Sequence, residues 1–221
     1  MNDVKEFYTV RVTFEKTGRA RYISHLDLNR TMTRAVRRAG LPIWYTEGFN
    51  RHPYLTFAAP LSLGYEGERE TMDIRLEQPM EFAELAARLD AVMPEGLHVT
   101  GAAPAVKKAG EVDRAVYRLQ LGCTPEAVVD LLAADTVPVQ KRTKKKEWKT
   151  VNLGPALAAS ESVVTATEDG CELQLMLPCS SADTVNPSLL ITALEALTGI
   201  TPLRCRVRRL MVLDKEGNPF A

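Results

Sequence analysis

Strand-like and helix-like segments follow one another in the order β-α-β-β-α-β and then do so again, which predicts an α+β chain of two tandem ferredoxin-like domains. Two further observations point the same way. The length of 221 residues, 45% of them hydrophobic and 25% charged, suits two small domains that each bury a core. The stretch 101–114 is small, charged and Pro-containing, as a joint between domains would be. The expected division is a first domain over 1–104, a linker over 105–114 and a second domain over 115–221.

Phe7–Phe14 alternates and is rich in β-branched and aromatic residues, the mark of a strand. Ser24 with Asp27 three residues on predicts a capped helix start, and Leu28, Met32, Ala35 and Val36 then recur at the spacing of one helical face. Gly40 and Pro42 end that helix. Short strands are predicted at Ile43–Tyr45 and Leu55–Ala59, and another at Thr71–Leu76. A second amphipathic helix follows over Glu81–Met93 and a strand over Leu97–Thr100. In the second half, strands are predicted at Val116–Leu121, from Val137 into the basic run, at Cys171–Leu177 and over Leu203–Leu213. Helices are predicted from Pro125 to Ala133 and from Asn186-Pro187 to Thr198-Gly199, each opened by a proline suited to a first turn.

Composition excludes several classes of function. Lys plus Arg equals Asp plus Glu, 28 of each, so global charge selects no partner. The N-terminus has no apolar signal segment and no run approaches a membrane span of about 20 residues, so a cytoplasmic protein without a membrane partner is expected. The four cysteines, Cys123, Cys171, Cys179 and Cys205, form no C-x-x-C pair, and all three histidines lie in the other half of the chain. Reduced cysteines, no metal site and no cofactor are therefore expected. No phosphate loop, dinucleotide fingerprint, nucleophile elbow or zinc-protease helix is present, which favours a binding role over catalysis.

Three segments carry possible function. Arg30, Arg34, Arg37 and Arg38 share one face of the first helix, opposite the apolar one, and residues 1–60 hold ten basic against five acidic side chains. Guanidinium groups in a row suit phosphates. Between Lys141 and Lys149, six of nine residues are basic: Lys141, Arg142, Lys144, Lys145, Lys146 and Lys149 surround Glu147 and Trp148. Such an arm suits RNA, with the indole stacking on a base. The loop from Tyr45 to Gly64 gathers Glu47, Asn50, Arg51 and His52 among turn residues, either as a binding surface or with His52 as a general acid or base beside Glu47. His25 and Asp27 sit in a first helical turn, where an i, i+2 pair points to different faces and forms no dyad.

Tyr22-Ile23-Ser24-His25-Leu26-Asp27, the arginine-bearing helix, Glu47-Gly48-Phe49-Asn50-Arg51-His52-Pro53 and Pro60-Leu61-Ser62-Leu63-Gly64 resemble the bacterial radical-SAM-linked family, a domain of unknown function fused to or encoded beside a radical SAM enzyme. Thr143-Lys144-Lys145-Lys146 with Val151-Asn152-Leu153, and Pro178 through Asn186-Pro187, are also similar. The resemblance implies a companion of a radical SAM protein, acting near RNA. This chain has no C-x-x-x-C-x-x-C triplet and so holds no radical SAM cluster of its own. It also carries Asn152 where the family pattern has Asp, so an acidic role there does not transfer.

The expected function is thus a non-catalytic accessory protein of a radical SAM enzyme that binds RNA through the arginine helix, Arg51 and the Lys-rich arm. One alternative is an adaptor that docks on the enzyme without RNA. The other is a metal-independent endoribonuclease with His25 or His52 as base, which rests on fold analogy to CRISPR repeat-processing enzymes.

Overall fold

A computed structural model describes residues 7–142 and 146–220 of the chain. It divides into two compact units, Met1–Val112 with Asn218–Ala221, and Asp113–Gly217. Ten strands and five α-helices among the described residues make the protein α+β, and its sheets are mostly antiparallel. None of these helices is long and apolar enough to cross a membrane.

The first unit contains β1 (Tyr8–Lys16), α1 (His25–Arg38), β2 (Leu55–Thr56), β3 (Glu66–Leu76), α2 (Phe82–Asp90) and β4 (Leu97–Pro104). Its strands lie in the order β4-β1-β3, with β2 on β3, and every one of these pairings is antiparallel. Val10 faces Ile74 and Val12 faces Met72 across β1 and β3. Those side chains and Phe14 pack with Leu28, Met32, Ala35 and Val36 of α1 and with Leu85 and Leu89 of α2. Each of these side chains other than Ala35 contributes about 1.5–3 kcal/mol by leaving water. The helix starts where its cap predicts: Ser24 Oγ accepts from the Asp27 N–H at 3.1 Å and donates to Asp27 Oδ2 at 2.7 Å.

Three elements differ from the sequence expectation. Ile43–Tyr45 forms only isolated bridges, Ile43 to Leu76 and Tyr45 to Pro53, because Pro42 and Pro53 lack the N–H groups a ladder needs. The strand expected over Leu55–Ala59 stops at Thr56. Conversely, β3 begins at Glu66 rather than Thr71, and Glu66 and Glu70 are buried within it. Buried acids break the apolar alternation by which a strand is recognised. Near them the Lys16 ammonium, also buried, donates to the carbonyls of Arg21 and Tyr65. Arg11, fully buried, donates from Nε and Nη2 to the two Asp73 oxygens at 2.7 and 2.9 Å, with the Phe220 ring 4.0 Å from its guanidinium carbon.

The second half of the chain contains β5 (Val112–Leu121), α3 (Pro125–Ala133), β6 (Pro138–Arg142), β7 (Trp148–Asn152), α4 (Gly154–Ala158), β8 (Ser162–Thr167), β9 (Gly170–Pro178), α5 (Pro187–Thr198) and β10 (Cys205–Asp214). The segment expected as a linker, 105–114, holds a 3₁₀ turn at Ala109–Glu111 and the start of β5. Neighbouring strands run β10-β5-β9-β8, and β6 pairs only with β7 in a separate two-stranded hairpin. The strand expected from Val137 is therefore not the partner of β9. That place belongs to β8, a strand the sequence reading left out, since its six residues are almost all exposed and show no alternation. Thr124 and Asn186 cap α3 and α5 by accepting from the N–H groups of Ala127 and Ser188.

Candidate nucleic-acid interface

Two separate basic patches hold most of the predicted residues, one in each unit. In the first unit, α1 buries Leu28, Met32, Ala35 and Val36 and leaves Arg30, Arg34, Arg37 and Arg38 exposed. Their situations differ. Arg30 reaches Asp27 at 3.2 Å on an exposed surface, where such a pair holds neither side chain firmly. The Asp27 carboxyl is held below the usual carboxylate range, first by the Ser24 hydroxyl and then by Arg30. Arg34 has no hydrogen-bond or ion-pair partner among the described residues. Arg37 lies over the Tyr45 ring, 5.7 Å from its centroid. Arg38 instead donates to the Val92 carbonyl at 2.9 Å and ties α1 to the end of α2. Three of the four arginines are thus presented to solvent in a row.

The contact between Arg37 and Tyr45 brings this row beside the polar loop. Trp44, Tyr45, Glu47, Arg51 and Glu77 line an open cleft of about 240 Å³. That is smaller than the roughly 300–1,000 Å³ of a typical small-molecule pocket, so the region suits surface contact better than enclosure. The loop is closed on itself through His52. Its Nδ1 lies 3.0 Å from the Asn50 carbonyl and 3.1 Å from Thr46 Oγ1, and the Thr46 N–H donates to the His52 carbonyl at 2.9 Å. Phe49, at the tip, is 102% exposed. An aromatic ring held fully in water, two residues before Arg51 in the chain, is available for stacking, a role that sequence reasoning did not assign to it.

Beneath the loop stands an aromatic cluster that sequence reasoning missed. The Arg75 guanidinium carbon lies 4.3 Å from the Tyr54 ring, 5.0 Å from Trp44 and 5.4 Å from Phe7. The Trp44 ring is in turn 4.9 Å from Phe7 and 5.8 Å from Tyr54. Cation–π contacts of about 0.5–2 kcal/mol each make this a stiff floor for the Tyr45–Pro53 loop. Its members come from four distant places in the chain, so no local pattern announces it.

His25 is held elsewhere in the unit, edge-on to Phe57 at 5.0 Å, with its Nδ1 buried and without a hydrogen-bond partner. Burial, and then the nearby Lys16 charge, lower its pKa below the usual 6.5. The two predicted histidines thus have different environments and no group in common among the contacts described.

In the second unit, the basic run forms the hairpin of β6 and β7. Lys141 faces Lys149 and Arg142 faces Trp148 across it. Like charges directly opposite are unfavourable until an anion approaches. Lys141 donates to the Thr184 carbonyl at 2.9 Å, which fastens one side of the hairpin. Arg142, Lys146 and Lys149 are exposed, and Trp148 is 69% exposed rather than folded back on the sheet. Thr143, Lys144 and Lys145 lie outside the described residues. The base of the hairpin is fixed by Asn152. Its Oδ1 accepts from the N–H groups of Val137 at 2.7 Å and Gly154 at 3.0 Å, and its Nδ2 donates to the Asp135 carbonyl at 3.4 Å. A carboxylate could not make the last of these bonds, so Asn is the residue this geometry uses.

Among the described residues no group of three or more His, Cys, Asp or Glu side chains is placed to hold a metal. The four cysteines are free thiols. Burial pushes the Cys123 thiol up and Cys171 up to about 11, far from the thiolate needed for nucleophilic work.

Compared with known proteins, the chain matches over residues 9–187 the model of a family described as "Uncharacterized protein conserved in bacteria (DUF2344)". No curated protein matches it.

Proposed function

The chain belongs to this bacterial family, and from that premise we propose that it is a non-catalytic RNA-binding accessory protein of a radical SAM enzyme. The carrying observation is the exposed row Arg30, Arg34 and Arg37, whose last member lies over Tyr45, a residue that lines one cleft with Arg51 in the loop that also carries the exposed ring of Phe49. Cations for phosphates next to an aromatic for a base are what single-stranded RNA requires. The hairpin with Arg142, Lys146, Lys149 and the exposed Trp148 repeats that combination. The radical SAM partner follows from the resemblance of the motifs around Ser24–Asp27 and Glu47–Pro53, whose residues shape this loop and helix.

We also read each unit as a ferredoxin-like domain, a fold that by itself implies no function. In each unit the main-sheet strands, taken in chain order as first to fourth, lie fourth, first, third, second. That is the order of a ferredoxin-like sheet, with the β6–β7 hairpin and α4 inserted in the second. Ultraviolet crosslinking of the purified protein to cellular RNA tests the proposal. Crosslinked peptides should contain Tyr45, Phe49 or Trp148. Crosslinks confined to other segments, or none above a protein control, would refute it.

A further inference from the structure

The cleft at the Tyr45–Pro53 loop holds side chains that phosphate binding does not use. Glu47 and Glu77 line it together with Arg51 and the aromatic residues Trp44 and Tyr45. Backbone bonds fix its walls. The Trp44 N–H donates to the Arg75 carbonyl and the Glu77 N–H to the Pro42 carbonyl, both at 2.8 Å, which ties this segment along the end of β3. The bond from the Thr46 N–H to the His52 carbonyl closes the loop that carries Glu47 and Arg51. The side chains of Glu47, Arg51 and Glu77 are exposed, and none has a hydrogen-bond or ion-pair partner among the described residues, each other included. An acid and a base that share a cleft without bridging each other are open to a ligand with donors and acceptors of its own. Two carboxylates repel a phosphate, so the backbone of a strand belongs to the arginines of α1 and the cleft suits an uncharged group.

Of the four bases, guanine matches this set. Its N1–H and N2–H groups are adjacent donors that one carboxylate accepts as a pair, and its O6 and N7 are adjacent acceptors that an arginine fork meets. Adenine and cytosine each set one amino group beside an acceptor that a carboxylate repels, and uracil holds its single N3–H between two carbonyls. Trp44 is taken up by Phe7, Tyr54 and Arg75. Tyr45, whose one aromatic or cation contact among the described residues is with Arg37, is the ring left for stacking. We infer that this cleft reads guanine in single-stranded RNA, with Glu47 accepting from N1–H and N2–H, Arg51 donating to O6 and N7, Tyr45 stacking on the base and Glu77 keeping phosphate out. The inference rests on the proposed RNA role and names the base that the site prefers. An arginine side chain of a protein also stacks and pairs with carboxylates, but it leaves Arg51 without a partner.

Fluorescence anisotropy of the full chain with labelled uridine heptamers that carry G, A, C or U at the central position tests this. The G strand should bind roughly tenfold more tightly than the other three, the scale of one bidentate pair. Inosine at the centre, which lacks the 2-amino group, should forfeit most of that preference. Glu47→Gln and Arg51→Gln, both at exposed positions, should each bring the four strands within about twofold of one another, with the urea midpoint unchanged. If the four strands bind the wild type alike and weaken together with salt, this inference falls and the RNA role stands. If the preference for G survives in both variants, another site reads the base and the inference falls. If no strand binds, both readings fall. If no strand is preferred, and a labelled arginine-containing peptide binds the wild type but not Glu47→Gln, the cleft takes a protein and the inference is overturned.

Discussion

The guanidinium carbon of Arg37 lies 5.7 Å from the centroid of the Tyr45 ring, joining the last turn of α1 to the loop that follows Pro42. At that distance the contact is close to the limit of a cation–π attraction and leaves the guanidinium edge open to a further partner. The helix therefore meets, at its last turn, the loop that carries the exposed Arg51 and Phe49, rather than standing as an isolated charged face.

Arg34 gives the cleanest test of that helix face, because it has no partner to lose among the described residues. Arg34→Gln should leave unfolding by urea within about 0.5 kcal/mol of the parent. The slope of log RNA affinity against log salt should become shallower by about 0.7. A loss of stability without a change in slope would assign Arg34 to the fold instead.

Trp148 should act through its ring and not through packing. Trp148→Ala should weaken RNA binding by about 1–3 kcal/mol, the scale of one stacked base, whereas Trp148→Phe should keep most of the affinity. Thermal melting should be nearly unchanged in both, since the indole lies mostly in water. A large fall in melting temperature for Trp148→Ala would contradict this placement.

Asn152 should be structural. Asn152→Ala removes the acceptor for two backbone N–H groups and the donor to Asp135, and should cost about 1–3 kcal/mol in chemical denaturation. Asn152→Asp should cost less, since Oδ1 can still accept from Val137 and Gly154. If the aspartate variant proved the more damaging of the two, the hydrogen-bond account would be wrong.

His25 gives the protein a pH dependence whose sign is fixed by its surroundings. Its folded pKa lies below the usual 6.5, so the unfolded chain binds the proton more readily. Stability from this residue is complete above the unfolded value and is lost as pH falls from about 6.5 toward the lower folded value, below which the loss is constant. His25→Gln should flatten the stability curve in that window, as read from urea midpoints measured across it. An unchanged curve in the variant would show that another group titrates there.

Much of this was legible along the chain where one rule governs one segment. Ser24, Asp27 and the spacing of Leu28, Met32, Ala35 and Val36 announce α1, because capping and amphipathicity are local. Charge density announced the hairpin arm. What escaped was set by distant pairing. Ser162–Thr167 has no alternation to reveal it, and becomes a strand through its register with Gly170–Leu175. Glu66 and Glu70 hid the start of β3 because a buried acid is readable only together with its neighbours. The floor of Phe7, Trp44, Tyr54 and Arg75 exists only once distant segments are side by side. Phe49 was misleading for a different reason: a phenylalanine is ordinarily expected inside, and this one stands at a loop tip.

The central claim is RNA binding by ionic contact and stacking, and one titration addresses it most directly: affinity of the purified, nuclease-treated chain for total cellular RNA at two salt concentrations, about 50 and 200 mM. With three to six phosphate contacts the account predicts a saturable interaction that weakens by roughly twentyfold to several-hundredfold between them. No binding at the lower salt, or binding indifferent to salt, would contradict it and leave docking on the partner enzyme as the role of these charged surfaces.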